Sequence, residues 1–592
     1  MIKKSRFLLF IIYSFLAVSC SSAQNTIDAT IEIDSFGNLF INEDIKNLSL
    51  EKDTLVTDSK ILIHKDEADL IGGTTINSNY LTEYKPKQDK FKYLINLPKR
   101  SNAYFKNRVF FMTTINYLLS NKQNFLKKKI FNLKFKNFNN LIYPTQNDLQ
   151  ESYLYPPPII SGNFQTQKVK DWDVYWLENK NNIEKTDVIV NYIDEIYNYY
   201  AKKYGKKNKK IKIIFIPFKN KDLLGKTLDN VILLNEKMLS KKHKLEKRLL
   251  AHEVAHLWWG VGGLQFKERV FTEGIAEFMA LEFLKFKGEK EYVNDLRHVK
   301  NYISEGIKNI DPLFKVTRDS KIKYSYNFIP ILLNSIQHNS EKDLYEELSI
   351  FYSKNLSKIF VNINDLNHFL KKNNTTTSLI TKRSLPEYFI EEDKDSIMIY
   401  GITKTPTSIN IEIKDTLNNK KTETLFFSDR HTVFKRSKLN LKRIIIDPKM
   451  EKLQFSRLND IWTKDQNSLL AKNRYFNFYH SNKKAIEYAS EVINYLSSNN
   501  NDFLTKICGA NKRFINTLKK TKSEINKNGK IIFTGASANY KENINRIDVK
   551  ATYYLKSRKN FDLIYFQLFT TKNLEHLIGI KIITPKNKRR SR

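Results

Sequence analysis

Near the middle of the chain, His252-Glu-Val-Ala-His256 sets two imidazoles four residues apart with a carboxylate beside the first. On an α-helix that spacing brings both rings to one face, about a turn apart, where they can grip one metal ion. Glu253 points to the adjacent side, in place to take a proton from water that the metal has acidified. Only 10 histidines occur in 592 residues, so the pattern is not a by-product of histidine abundance. A zinc site needs three protein ligands and one open position. Glu273, in Thr272-Glu-Gly-Ile-Ala-Glu277, supplies the third after Gly260, Gly262 and Gly263 turn the chain. One zinc ion per chain is therefore the expected cofactor. Glu277, one helical turn past Glu273, either accepts a hydrogen bond from His252 and fixes its tautomer or forms an ordinary helix salt bridge.

The run His252-Glu-Val-Ala-His-Leu-Trp-Trp-Gly260 followed by Thr272-Glu-Gly-Ile-Ala276 resembles the paired signature of the membrane alanyl aminopeptidase family of gluzincin zinc peptidases. In that family the second motif supplies the glutamate ligand. Sixteen residues separate His256 from Glu273, a slightly shorter gap than is usual there, and the shortening falls in the Gly-rich turn. The resemblance covers Asp187 to Asn355, and the flanking regions only in outline. It implies a thermolysin-like, mainly helical catalytic domain and a peptide or protein substrate. It also implies a tyrosine, just before a later helix, that hydrogen-bonds the developing oxyanion. Tyr324-Ser-Tyr326-Asn-Phe-Ile329 resembles that segment, with Tyr324 the better match; such a donor contributes several kcal/mol of transition-state stabilisation. Aminopeptidases of the family carry a Gly-x-Met-Glu-Asn strand whose Glu binds the substrate's α-amine. The corresponding place reads Gly225-Lys-Thr-Leu-Asp-Asn230. Asp229 stands there as an acidic amine anchor or as a turn residue, so exopeptidase and endopeptidase action both stay open. A non-catalytic envelope binding or assembly protein on the same fold is the remaining alternative. Trp258 and Trp259 read as core packing.

Regular elements have to hold these residues in place. Val188, Ile193, Ile196 and Tyr200 recur at helical spacing between Asp187 and Tyr204, and Gly205 then stops the helix. Ile211–Ile216 and Val231–Leu234 read as strands, Glu246–Trp259 and Thr272–Lys285 as the helices carrying the motifs, and Asn327–Asn355 as further helix. This catalytic region, residues 186–384, sits in a multidomain α+β chain. Residues 20–185 form an N-terminal β-domain of short segments such as Ala29–Ile33, Lys60–His64 and Lys92–Leu97, with Tyr155-Pro-Pro-Pro158 breaking regular structure near its end. Residues 385–459 read as a β-sandwich-like domain with strands Ile397–Ile402, Ser408–Ile413, Glu423–Phe427 and Leu441–Ile446. Residues 460–592 form a C-terminal α+β module, a helix with Ile486, Ala489, Ile493 and Leu496 on one face followed by strands. That order resembles the cone-shaped nuclear-transport-factor-like fold.

The chain begins with Lys3, Lys4 and Arg6, then an apolar run from Phe7 to Ser19, then Cys20. These are the charged and apolar parts of a secretory signal, too short to span a bilayer. Cys20 after Ala17-Val18-Ser19 resembles a bacterial lipobox, which implies a signal peptide over residues 1–19, lipidation of Cys20 and a membrane anchor in the cell envelope. Plain cleavage near Ala23 is the alternative. Once Cys20 is lipidated or removed, Cys508 is the one cysteine left, and no intramolecular disulfide can form. The net charge of +37 comes from lysines scattered through every region, without a nucleic-acid-binding motif, so no nucleic-acid partner is expected. The basic tail Lys586–Arg592 reads as a solvated end.

Overall fold

The computed structural model describes most of residues 26–583. Residues 1–25, 289–323, 373–386, 449–459, 465–482, 498–511 and 584–592, with shorter segments between elements, lie outside the described set, and with them Cys20, Cys508 and the basic tail. The chain forms two compact units, one running to Thr272 and including Tyr352–Val361, the other made of Glu273–Phe351 and the chain from Asn362 onward.

The first unit opens in β-structure. Thr26–Ile33 buries every second residue, Ile27, Ala29, Ile31 and Ile33, as a pleated strand with one face on a core must. It pairs antiparallel with Leu39–Ile45 and parallel with Lys129–Lys136, within a six-stranded sheet accompanied by two four-stranded ones.

The sheet that positions the candidate site follows. Its elements are β1 (Phe164–Val169), β2 (Trp172–Leu177), α1 (Ile183–Tyr204), β3 (Lys212–Ile216), β4 (Gly225–Leu228) and β5 (Val231–Asn235). The strand order is β1-β2-β3-β5-β4. β2, β3 and β5 run parallel, while β1–β2 and β4–β5 are antiparallel hairpins at the two sides. β3 and β5 are buried at every position, as central parallel strands covered on both faces are. The hairpin β1–β2, whose alternation reads as part of the N-terminal β-domain, is hydrogen-bonded into this sheet instead. A period of two marks a strand without saying which sheet it joins; here the crossover through α1 decides. α1 buries Ile189, Val190, Ile193, Ile196 and Tyr200, whereas Val188, one position off that face, is 54% exposed.

The helix α2 (Lys247–Ala255) is shorter than the sequence predicts, with His256 as its C-cap. The chain then folds back on itself: the Leu264 N–H donates to the Trp258 carbonyl and the Gly260 N–H to the Leu264 carbonyl. At Gly263 a Cβ would come within 2.0 Å of the Trp258 oxygen, so only glycine fits there.

The helix α3 (Arg269–Lys287) leads into the second unit, where a π-helical turn at Tyr324–Phe328 runs into α4 (Ile329–Asn339). Farther on, a three-stranded sheet (Glu387–Glu392, Ser396–Ile402, Thr432–Ser437) and a four-stranded one share a core of Tyr388, Ile399, Ile411, Phe427 and Ile444. The last module packs the helices Lys483–Ser497 and Lys512–Asn526 on an antiparallel sheet of four strands ending at Ile583, around Ala489, Leu496, Leu518, Val549 and Leu568. The second of these helices is absent from the sequence reading because its lysine-rich run offers few apolar residues to a periodicity test. No described helix is long and apolar enough to cross a membrane.

Candidate metal centre

α2 buries its motif almost completely: His252 is 4%, Glu253 5% and His256 9% exposed. The Nε2 atoms of the two histidines lie 3.0 Å apart, with the rings nearly perpendicular at 87°. His256 Nδ1 is 2.8 Å from the Trp259 carbonyl oxygen. A carbonyl can only accept, so Nδ1 carries the proton and Nε2 keeps a lone pair for a metal. The turn that supplies this carbonyl is held by aromatic packing. Trp258 sits against Tyr197, Tyr200 and Tyr204, and Trp259 against Phe266 and Tyr352. Gly260 closes over the ring, where a Cβ would come 3.0 Å from His256 Nδ1.

One ligand atom each from His252, His256 and Glu273 can be chosen so that all lie within 4.8 Å of one another. Two imidazole nitrogens and a carboxylate oxygen, with one tautomer set by the backbone, make a donor set that fits a divalent metal ion. Tyr326 donates from its hydroxyl to Glu273 Oε2 at 2.9 Å. That contact is made possible one residue on: a Cβ on Gly274 would come 2.3 Å from Ile329 Cγ2, so only a residue without a side chain lets α3 and the start of α4 approach so closely. The π-helical turn carries Tyr326, in keeping with the frequent use of such turns at functional positions.

Glu253 is gripped by the edge strand. The Thr227 hydroxyl on β4 lies 2.9 Å from Glu253 Oε2 and 2.8 Å from the Glu253 carbonyl oxygen. With one proton for two acceptors, it donates to one at a time. On the same strand, a Cβ at Gly225 would meet Glu253 Cγ at 2.8 Å.

The remaining residues singled out from the sequence are placed as follows. Tyr324 opens the π-helical turn, and its side chain lies outside the described set. Glu277 is buried on α3, one turn beyond Glu273. Asp229 occupies the β4–β5 turn with φ of 51° and is ion-paired with Lys209 at 2.9 Å. Thr227, Tyr326 and the Trp259 carbonyl escape a motif search. Threonine and tyrosine are common, and a carbonyl has no sequence signal at all; only the neighbourhood of Tyr326 beside Tyr324 points toward it.

No protein-family model matches the chain, and no curated protein sequence matches it. Its fold is similar to the crystal structure of Legionella pneumophila aminopeptidase A in complex with aspartic acid, with a TM-score of 0.53 and 11% sequence identity. The match covers 84% of this chain and 66% of that one, just under two thirds of its length. At such identity the likeness is one of fold: a multidomain α+β architecture shared with an aminopeptidase.

Proposed function

We propose that this chain is a zinc metallopeptidase of the gluzincin type, aminopeptidase-like and carrying one zinc ion. The observation that carries the reading is the convergence of His252, His256 and Glu273 beside a buried Glu253. The thermolysin-like character of residues 186–384 is supported by the parallel sheet, the motif helix and the fold likeness. His252, His256 and Glu273 would hold the metal, which when bound supplies polarisation of a peptide carbonyl and acidification of water. His256 presents Nε2 because its other nitrogen is committed to the Trp259 carbonyl. Tyr326 restrains the Glu273 carboxylate. Glu253 takes a proton from the attacking water and returns it to the leaving amine, with Thr227 holding the carboxylate in place. Tyr324 donates to the developing oxyanion. Among the described residues β4 pairs only with β5, so its outer edge can pair an extended peptide beside Glu253.

Purified chain should contain about one zinc ion and cleave a fluorogenic peptide panel. Glu253→Gln should keep the metal and lose about a hundred- to ten-thousandfold in kcat. Absence of zinc would remove the ligand assignment, and zinc without hydrolysis would favour an envelope binding protein. Endopeptidase action is the competing specificity, because the Lys209 ammonium already engages Asp229 and an amine would have to displace it. Peptides with acetylated N-termini separate the two: an amine-anchoring enzyme fails to cut them and an endopeptidase does not.

The basic and apolar run ending at Cys20 supports export and a lipid anchor, which would place the enzyme in a bacterial cell envelope facing peptide or protein substrates. Metabolic labelling with a fatty acid should mark the wild-type chain and not Cys20→Ala; equal labelling would remove the anchor.

A further inference from the structure

A cavity of about 440 Å³ lies within the first unit at the β4–β5 hairpin, walled by the turn Val261–Gln265 that follows the metal-binding helix. None of the candidate metal ligands lines it. Its size is that of a small-molecule site. Tyr143, Tyr153, Tyr155 and Tyr352, all buried, give it flat apolar walls, and Pro156–Pro158 extend them. Four lysines line it, Lys128, Lys207, Lys209 and Lys358, against the single acid Asp229. Asp229 is already matched by Lys209, so the cavity carries surplus positive charge. Lys207 Nζ donates to the Gly262 carbonyl at 2.8 Å and sits 5.9 Å from the Trp258 ring centroid, which pins the ammonium at the cavity wall. Lys128 and Lys358, also in the lining, are exposed to solvent.

We propose that this cavity binds a small organic anion, a flat apolar body bearing a carboxylate or phosphate that meets Lys207. The body lies against the tyrosine and proline walls, and the head group balances the positive charge that Asp229 alone leaves in excess. Burial pushes the Lys207 ammonium down to about 8; Asp229 opposes that fall, while Lys209 and Lys128 add to it. A bound anion favours the charged form, so binding near pH 8 draws a proton onto Lys207.

Calorimetric titration of the full chain tests this with three probes sharing one body: naphthalene-2-carboxylate, 2-naphthyl phosphate and the neutral naphthalene-2-carboxamide. Whichever of the two anions binds more tightly identifies the head group. It should bind at one site, at least about tenfold tighter than the amide, the effect of one charge-assisted hydrogen bond. Lys207→Met should weaken it by a similar factor, while Lys168→Met, an exposed lysine on β1, should leave it unchanged. In buffers of different ionisation enthalpy, wild type should take up a fraction of a proton on binding either anion at pH 8, and none on binding the carboxylate at pH 6, where the phosphate itself still titrates. Equal binding of acid and amide, unaltered binding by Lys207→Met, or absence of saturable binding would overturn the proposal. Should Lys207→Met fail to fold, anion binding at pH 8 without proton uptake overturns it in the same way.

Discussion

Thr227 shows how a single hydroxyl can matter more than its place in a motif. It lies within hydrogen-bonding distance of both the carboxylate and the carbonyl of Glu253, and no residue of the HExxH pattern can do the same. A general base acts only from a narrow range of orientations. Thr227→Val keeps the shape and removes the donor. Its expected outcome is a fall in kcat of about tenfold with KM almost unchanged, and recovery in Thr227→Ser. A loss of thermal stability with activity tracking the folded fraction, and no recovery in serine, would make Thr227 structural only. Asp229 is likewise constrained by a partner: its carboxylate faces the Lys209 ammonium, which a substrate amine would have to displace.

At the scale of elements, the close approach of α3 and the start of α4 at Gly274 sets the Tyr326–Glu273 contact. Gly274→Ala gains up to about 1 kcal/mol of helix propensity. Overpacking against Ile329 costs about 1–3 kcal/mol, so the net effect should be destabilising. Displacing α4 also moves Tyr326 off Glu273, and zinc affinity in a chelator competition should fall about tenfold. The double variant Gly274→Ala, Ile329→Ala opens the space again and should regain much of that affinity; if it does not, the approach of the helices is not what positions Glu273.

The whole chain, with two compact units, is not expected to melt in one two-state step, and its response to pH should be local. In the first unit Glu43 is buried with Tyr93 donating to it, and burial pushes its carboxyl up to about 8 from 4.5. The folded state therefore keeps a proton that the unfolded chain has released, so stability falls as pH rises from about 4.5 to 8 and levels off above. The full effect is on the order of 5 kcal/mol. Lys129, pushed down by burial to about 7, acts in the opposite sense: its contribution rises as pH climbs from 7 to 10.5. Comparing wild type with Glu43→Gln isolates the carboxyl. The variant should lose stability less steeply between pH 5 and 8 in denaturant titrations; parallel curves would show that Glu43 is ionised in the folded chain.

What the sequence determined by itself is the chemistry and the local periodicity. His252, Glu253 and His256 are spaced by the geometry of one helix, so a five-residue pattern suffices to place two rings on one face. Ile213 to Ile216 and Val231 to Leu234 are strands because continuous apolar runs have few other places to go. The tertiary structure decided what depends on meetings between distant segments. It joined the 164–177 hairpin to the sheet through a parallel pairing, ended α2 at Ala255 by folding the Gly-rich turn back on it, and set Thr227 against Glu253 and Tyr326 against Glu273. It also gathered Lys128, Lys207, Lys209 and Lys358 around one cavity. Local patterns follow from bonded geometry, whereas these contacts follow from packing across dozens of residues, which no spacing rule encodes.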